Sequence, residues 1–230
     1  MTNQSYWEKE AFPQQYDLII VGAGITGLST ALFYKRLHPD VSVLVLERGA
    51  TPQGASTRNA GFGCIGSISE HQADLERTSE REVKDRIRRR YEGLKLLKAT
   101  LGESSIEYQR CGGYELFTAD NLFEESANDI PKFNKWLSDL IGEKQVYSST
   151  ELNGYPVIHN RLEGALHPGK MIKVLIKLVQ HEDIDIRWKV RWIPLMGRAL
   201  SILVMALCWE VARFLLLQMD SPAAFCPTCR

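Results

Sequence analysis

Tyr16-Asp17-Leu18-Ile19-Ile20-Val21-Gly22-Ala23-Gly24-Ile25-Thr26-Gly27-Leu28-Ser29-Thr30-Ala31-Leu32-Phe33-Tyr34-Lys35-Arg36-Leu37, followed by Val41-Ser42-Val43-Leu44-Val45-Leu46-Glu47-Arg48, decides the fold of this chain. Residues 16–21 are a short β-branched apolar run that stops at glycine, the pattern of a parallel strand buried on both faces. The apolar positions 28, 31, 32 and 37 fit helical spacing loosely, and Pro39 closes the helix. Residues 41–46 read as a second strand that ends on an acid. Strand, glycine turn, helix, strand and acid in this order describe a Rossmann-like α/β unit that binds a dinucleotide.

Each glycine has a physical task. Gly22 permits the tight turn, Gly24 lets a pyrophosphate approach the backbone, and Gly27 lets helix and strand pack closely. With Ala23, Ile25 and Thr26 they form the expected phosphate cradle, where the helix N-terminus supplies amide donors and a positive dipole. Glu47 stands twenty residues beyond Gly27, where a carboxylate accepts hydrogen bonds from an adenosine ribose. The fingerprint alone does not choose FAD over NAD. Glu47 argues against NADP, whose 2′-phosphate it would repel, although Arg48 leaves that option open.

Composition sets the limits around this unit. The chain has 230 residues, 44% hydrophobic and 24% charged, enough to bury a real core in one large domain or two small ones. Basic and acidic side chains number 28 each, so no global field favours nucleic acid or an acidic membrane surface. The polar N-terminus lacks the basic start and apolar run of a secretory signal, which makes the cytoplasm the expected compartment. Five cysteines, at 64, 111, 208, 226 and 229, have no framework spacing and read as free thiols. The histidines at 38, 71, 159, 167 and 181 are scattered without metal-ligand spacing, so no metal is expected and each reads as a surface residue.

Gly54-Ala55-Ser56-Thr57-Arg58-Asn59-Ala60-Gly61-Phe62-Gly63 is dense in small residues, which lets backbone come close to a ligand; on composition alone it is a flexible loop. Taken with residues 16–31 and with Val45-Leu46-Glu47-Arg48-Gly49, it resembles the D-amino-acid oxidase and glycine oxidase family of FAD-dependent oxidoreductases. Gly112-Gly113-Tyr114-Glu115-Leu116-Phe117 is similar to a substrate-domain strand of that family. Gly164-Ala165-Leu166-His167-Pro168-Gly169-Lys170 is similar to the turn that returns to the cofactor domain. The resemblance covers residues 14 to about 188. It implies FAD as cofactor, with Ser56, Thr57, Arg58, Asn59, Ala60 and Gly61 against its flavin side. It also implies oxidation of a C–N bond in a small amine or amino acid, and it names no catalytic base. The expected organisation is an FAD-binding segment over 14–70, part of an α+β substrate domain over 71–163 that is mostly helical with strands near 106–118, and a return to the FAD-binding domain over 164–190.

Between the motifs, residues 70–102 hold a charged stretch in which Ile87, Tyr91, Leu94 and Leu97 share one helical stripe, leaving the arginines mostly on the solvated face. Residues 123–142 form a second amphipathic helix with Phe133, Trp136, Leu137 and Leu140 inward. Residues 171–179 read as a helix and 184–188 as an alternating strand, together a βα crossover.

From about Lys189 the texture changes. The apolar run 199–209 is flanked by Arg198, Glu210 and Arg213, so it is too interrupted for a ~20-residue transmembrane helix. Membrane association would be possible only as an interfacial anchor through 192–219, and is not favoured. Cys226-Pro227-Thr228-Cys229 is half of a zinc site at most. Residues 191–230 read instead as an out-of-frame tail. Joining the last base of each codon to the first two of the next forces Asp at Trp192-Ile193, and Gly at Met196-Gly197, Met205-Ala206, Trp209-Glu210 and Met219-Asp220. Freely chosen codons then allow a buried strand and glycine turn similar to a later cofactor-domain strand of the family. On this reading the chain is a truncated member, expected to bind FAD weakly because core and site are incomplete. The competing expectation is a nucleotide-binding, membrane-associated protein without redox chemistry.

Overall fold

The computed structural model describes residues 16–190, and within them the chain divides into two bodies, residues 16–58 with 172–190 and residues 59–171. The first is a parallel sheet. Strand β1 (Leu18–Val21) leads through the glycine turn into helix α1 (Ile25–Leu37), which crosses back to β2 (Val43–Leu46). β1 pairs with β2 in the register Leu18↔Val43 to Val21↔Leu46. The last strand of the described chain, Asp185–Arg187, adds parallel to the other edge of β2. β2 is thus central and buried at every position. Leu28, Ala31 and Leu32 of α1, and Ile172, Leu175 and Val179, are likewise buried to nearly zero exposure.

The expectation that β1 is buried on both faces is corrected. Ile20 is buried, but Ile19 and Val21 are 39% and 55% exposed. β1 is an edge strand here, and among the described residues no element covers that face.

The second body is α+β. A short strand β3 (Phe62–Gly63) is followed by helices α2 (Ile68–Leu75) and α3 (Glu80–Leu101), then β4 (Gly113–Leu116). Next come α4 (Asp120–Asn128), α5 (Ile130–Ile141), β5 (Tyr147–Leu152), β6 (Tyr155–Asn160) and β7 (Gly164–Ala165). The chain then runs through α6 (Pro168–His181) into β8 (Asp185–Arg187). β4, β6 and β5 form an antiparallel sheet in that order, and β3 pairs antiparallel with β7. Phe133, Leu137, Val83 and Ile87 from the helices bury against Tyr147 and Ile158 of the sheet.

Local chemistry sets the helix ends. Ser67 and Ser79 each cap a helix by accepting the amide of the residue three on, Glu70 and Glu82, so the charged stretch 70–102 breaks into two helices. The 123–142 helix likewise breaks at Asp129, with Pro131 opening α5 and Gly142, at φ 73°, closing it. The β5–β6 hairpin was not anticipated; its turn is Asn153-Gly154, both at positive φ (53° and 82°), the dipeptide that two-residue hairpins favour.

The two bodies divide at 58/59 and 171/172. Phe62–Gly63 and Gly164–Ala165 pair with each other and not with the parallel sheet. Among the described residues no helix is long and apolar enough to cross a membrane. The proposed anchor and the out-of-frame tail lie outside the described residues.

Candidate cofactor site

The glycine turn is tied down at the C-terminal end of the parallel sheet. Gly22, at φ +102°, donates its amide to the Leu46 carbonyl at 2.7 Å, so the turn begins where β2 ends. A side chain at Gly27 would place its Cβ 2.0 Å from the Gly22 carbonyl oxygen and 3.2 Å from the Ile20 side chain. The close approach of helix and strand therefore requires glycine there.

Glu47 does more than end the strand. Its carboxylate is buried and accepts the Ala23 amide on one oxygen and the Gly49 amide on the other, both at 2.9 Å. The Glu47 backbone is held as well, its amide by the Arg187 carbonyl and its carbonyl by the Val190 amide. The acid thus fixes the turn from beneath. Each oxygen keeps a second lone pair with which to accept a ribose hydroxyl.

Ser56, in a single 3-10 turn over Ala55–Thr57, lies beside the helix N-terminus and accepts the Ile25 amide at 3.0 Å. A Cβ at Gly24 would meet the same hydroxyl at 3.1 Å. Helix α1 has no acidic residue in its first turn, and Thr26 and Gly27 lack intrahelical acceptors for their amides. An uncharged, glycine-lined turn with spare amide donors and a carboxylate behind it is a donor set that suits the pyrophosphate and ribose of a dinucleotide.

The other expected site residues stand as follows. Thr57 donates its hydroxyl within its own loop, to the Pro52 and Gly54 carbonyls, and Arg48 and Arg58 are exposed. Asn59, Ala60 and Gly61 belong to the second body. There the Asn59 side-chain oxygen accepts the Gly61 amide at 2.9 Å, and Gly61, at φ +78°, packs where a Cβ would lie 2.1 Å from the Leu166 carbonyl oxygen.

The profile of the FAD dependent oxidoreductase family matches residues 17–191. The chain belongs to that family. FAD is the family's cofactor, and the Rossmann-like sheet is its binding fold. No curated protein matches the chain. Solved structures with a similar fold include an L-amino acid deaminase from Proteus vulgaris, at TM-score 0.56 and 16% identity, covering 81% of this chain and 43% of that one. A glycine oxidase from Geobacillus kaustophilus gives TM-score 0.55 and 18% identity, with 76% and 46% covered. An L-α-glycerophosphate oxidase from Mycoplasma pneumoniae, solved with FAD bound, gives 0.52 and 16%, with 76% and 44% covered. The chain therefore spans less than half the length of each of these three.

The second body carries a polar interior. His71 is fully buried, which corrects its reading as a surface residue; His38, His167 and His181 are exposed and His159 half-buried. The Tyr147 hydroxyl donates to the Gly66 carbonyl at 2.7 Å, so its oxygen receives the His71 Nε2 proton at 3.1 Å. That leaves Nδ1 as a buried bare nitrogen. Burial, with Arg90 and Arg86 nearby, pushes His71 down to about 3.

Arg90 departs from the solvated arginine face. It follows Val83 and Ile87 on the buried stripe of α3 and pairs with Glu70 at 2.8 Å. Glu115 is buried and accepts the Ile68 and Ser69 amides and the Ser69 hydroxyl, which places a charge at the N-terminus of α2. Glu163 is buried too; its Oε1 accepts the amides of Ile65 and Gly66 at 2.9 and 3.0 Å. Sequence reasoning missed all of these. The two Ser-x-x-Glu caps and the spacing 83, 87, 90, 94 were usable signals. Nothing local distinguishes Glu163 from an exposed glutamate.

Proposed function

We propose that this chain is the FAD-holding part of an oxidoreductase that oxidises the C–N bond of a small amine or amino acid. The observation that carries the reading is the buried Glu47 carboxylate bonded to the Ala23 amide, because it joins acid and glycine turn into one preformed dinucleotide cradle. In this reading Gly22 to Gly27 take the pyrophosphate on backbone amides, Glu47 with Arg48 takes the ribose, and Ser56 to Gly61 approach the flavin. FAD, when bound, accepts the hydride from the substrate. The chain's own residues bind and orient the cofactor and exclude water from its phosphates.

The names of the L-amino acid deaminase and glycine oxidase neighbours support a C–N substrate. The glycerophosphate oxidase marks the nearest alternative chemistry. Cys64 and Cys111, neither joined in a disulfide, support a reducing compartment such as the cytoplasm.

The test is an FAD titration of the full chain, followed by the visible spectrum and flavin fluorescence. Bound flavin with a structured, shifted absorption band is expected, and it weakens on Gly24→Val, whose side chain fills the space under Ser56. A chain that leaves FAD free at saturating concentration refutes the site. Anaerobic bleaching of bound flavin by glycine or another amino acid, but not by glycerophosphate, supports the substrate class; the reverse pattern refutes it.

A further inference from the structure

The ladder between β3 and β7 is two residues long, Phe62↔Ala165 and Gly63↔Gly164, with the Leu166 amide on the Gly61 carbonyl at one end. At the other end the side chain of Glu163 takes over from the backbone. Its Oε1 receives two consecutive amides, those of Ile65 and Gly66, and so extends the pairing past the end of the strand. The Glu163 carbonyl meanwhile accepts the Gly112 amide at 3.1 Å, and Oε2 lies where a Cβ on Gly113 would come within 2.1 Å. One residue joins three segments: the strand leading out of Asn59–Gly61, its partner β7, and the entry to β4.

We propose that Glu163 is a positioning residue for the cofactor segment: its buried carboxyl fastens the Cys64–Gly66 turn, holds the strand leading out of Asn59–Gly61 in register, and loosens its hold on ionising. Ionisation opposes the hold because the groups around Glu163 do not neutralise it. The Cys64 thiol, its own ionisation pushed up by burial, hydrogen-bonds to it, which favours the carboxylate but brings no positive charge. Glu70 of α2 and Glu115 of β4 add negative charge nearby, and the hydroxyl of Tyr147 from β5 is held neutral by burial. Tyr108 is neutral as well, and Arg90 of α3, the cation among them, is engaged by Glu70. Burial, outweighing the two amide bonds, pushes Glu163 up to about 7. Opening the turn returns the carboxyl to water, where it ionises freely, so opening becomes easier as pH rises toward neutrality.

The link to the cofactor rests on the proposed role of Asn59–Gly61; the latch does not. Hydrogen exchange of the full chain without added FAD tests it, with protection corrected for intrinsic rates at pH 5.5 and 8. At Ile65 and Gly66 protection is expected to fall by about tenfold or more over that range in the wild type. It should stay flat in Glu163→Gln, which keeps an acceptor oxygen but cannot ionise. A wild-type profile without slope, a slope of equal size in Glu163→Gln, or an equal fall at the core amide of Leu137 overturns the proposal. Failure of FAD to bind while the slope persists would remove the proposed function and leave the latch standing.

Discussion

Gly27→Ala is the most direct probe of the glycine turn. In an ordinary helix the change would gain stability, since alanine is favoured over glycine by about 1 kcal/mol in a helix interior. Here the added methyl would sit 2.0 Å from the Gly22 carbonyl oxygen, far inside contact distance. The obstacle is backbone already bonded to Leu46, so no side-chain rotation relieves it. Overpacking of this kind costs about 3 kcal/mol, at the upper end of the usual range. The net loss is therefore about 2 kcal/mol, a shift of roughly 1 M in the urea midpoint for a slope near 2 kcal/mol/M. Gly54→Ala is the control: Gly54 has an extended backbone at φ −86° with nothing within 4 Å of the added atom. Urea unfolding followed by far-UV circular dichroism compares the two. If Gly27→Ala unfolds at the same midpoint as Gly54→Ala, helix and strand are not in the contact described, and the cradle argument fails with them.

Two buried groups give opposite pH dependences. Glu163 has its folded pKa raised from 4.5 to about 7, so its stabilisation is complete below the unfolded value and is lost as pH rises through about 7. His71 is depressed from 6.5 to about 3, so its stabilisation is present above the unfolded value and is lost as pH falls toward 3. Between pH 4.5 and 7 each contributes about 3 kcal/mol with opposite sign. Urea unfolding at both pH values should show Glu163→Gln losing stability on acidification, His71→Gln gaining it, and the wild type flatter than either; parallel profiles would refute the assignment. At the hairpin, Gly154→Ala places a side chain at φ +82° and should lower the urea midpoint by the equivalent of about 1 kcal/mol, while an unchanged midpoint would show that the turn does not need the left-handed conformation.

The sequence by itself determined the cofactor half of the fold. The glycines at 22, 24 and 27, the β-branched runs around them and the acid at 47 constrain backbone locally, so strand, turn, helix and strand follow from short-range sterics and hydrophobic period. The position of Glu47 could be read the same way, but its bond to Ala23 could not, because it spans 24 residues and depends on the parallel register of β1 and β2. In the second body only short signals were available. The caps at Ser67 and Ser79 and the Asn153-Gly154 turn are local, and a reader looking for them would have split the helices and found the hairpin.

Only the tertiary structure decided the interior polar groups. His71, Arg90, Glu115 and Glu163 are residue types that usually face water. Their burial depends on partners 20 to 98 residues away in the chain, as with Arg90 against Glu70 and Glu163 against its two amides. Such contacts are set by how whole elements pack, and no window of sequence short enough to read by pattern contains both members.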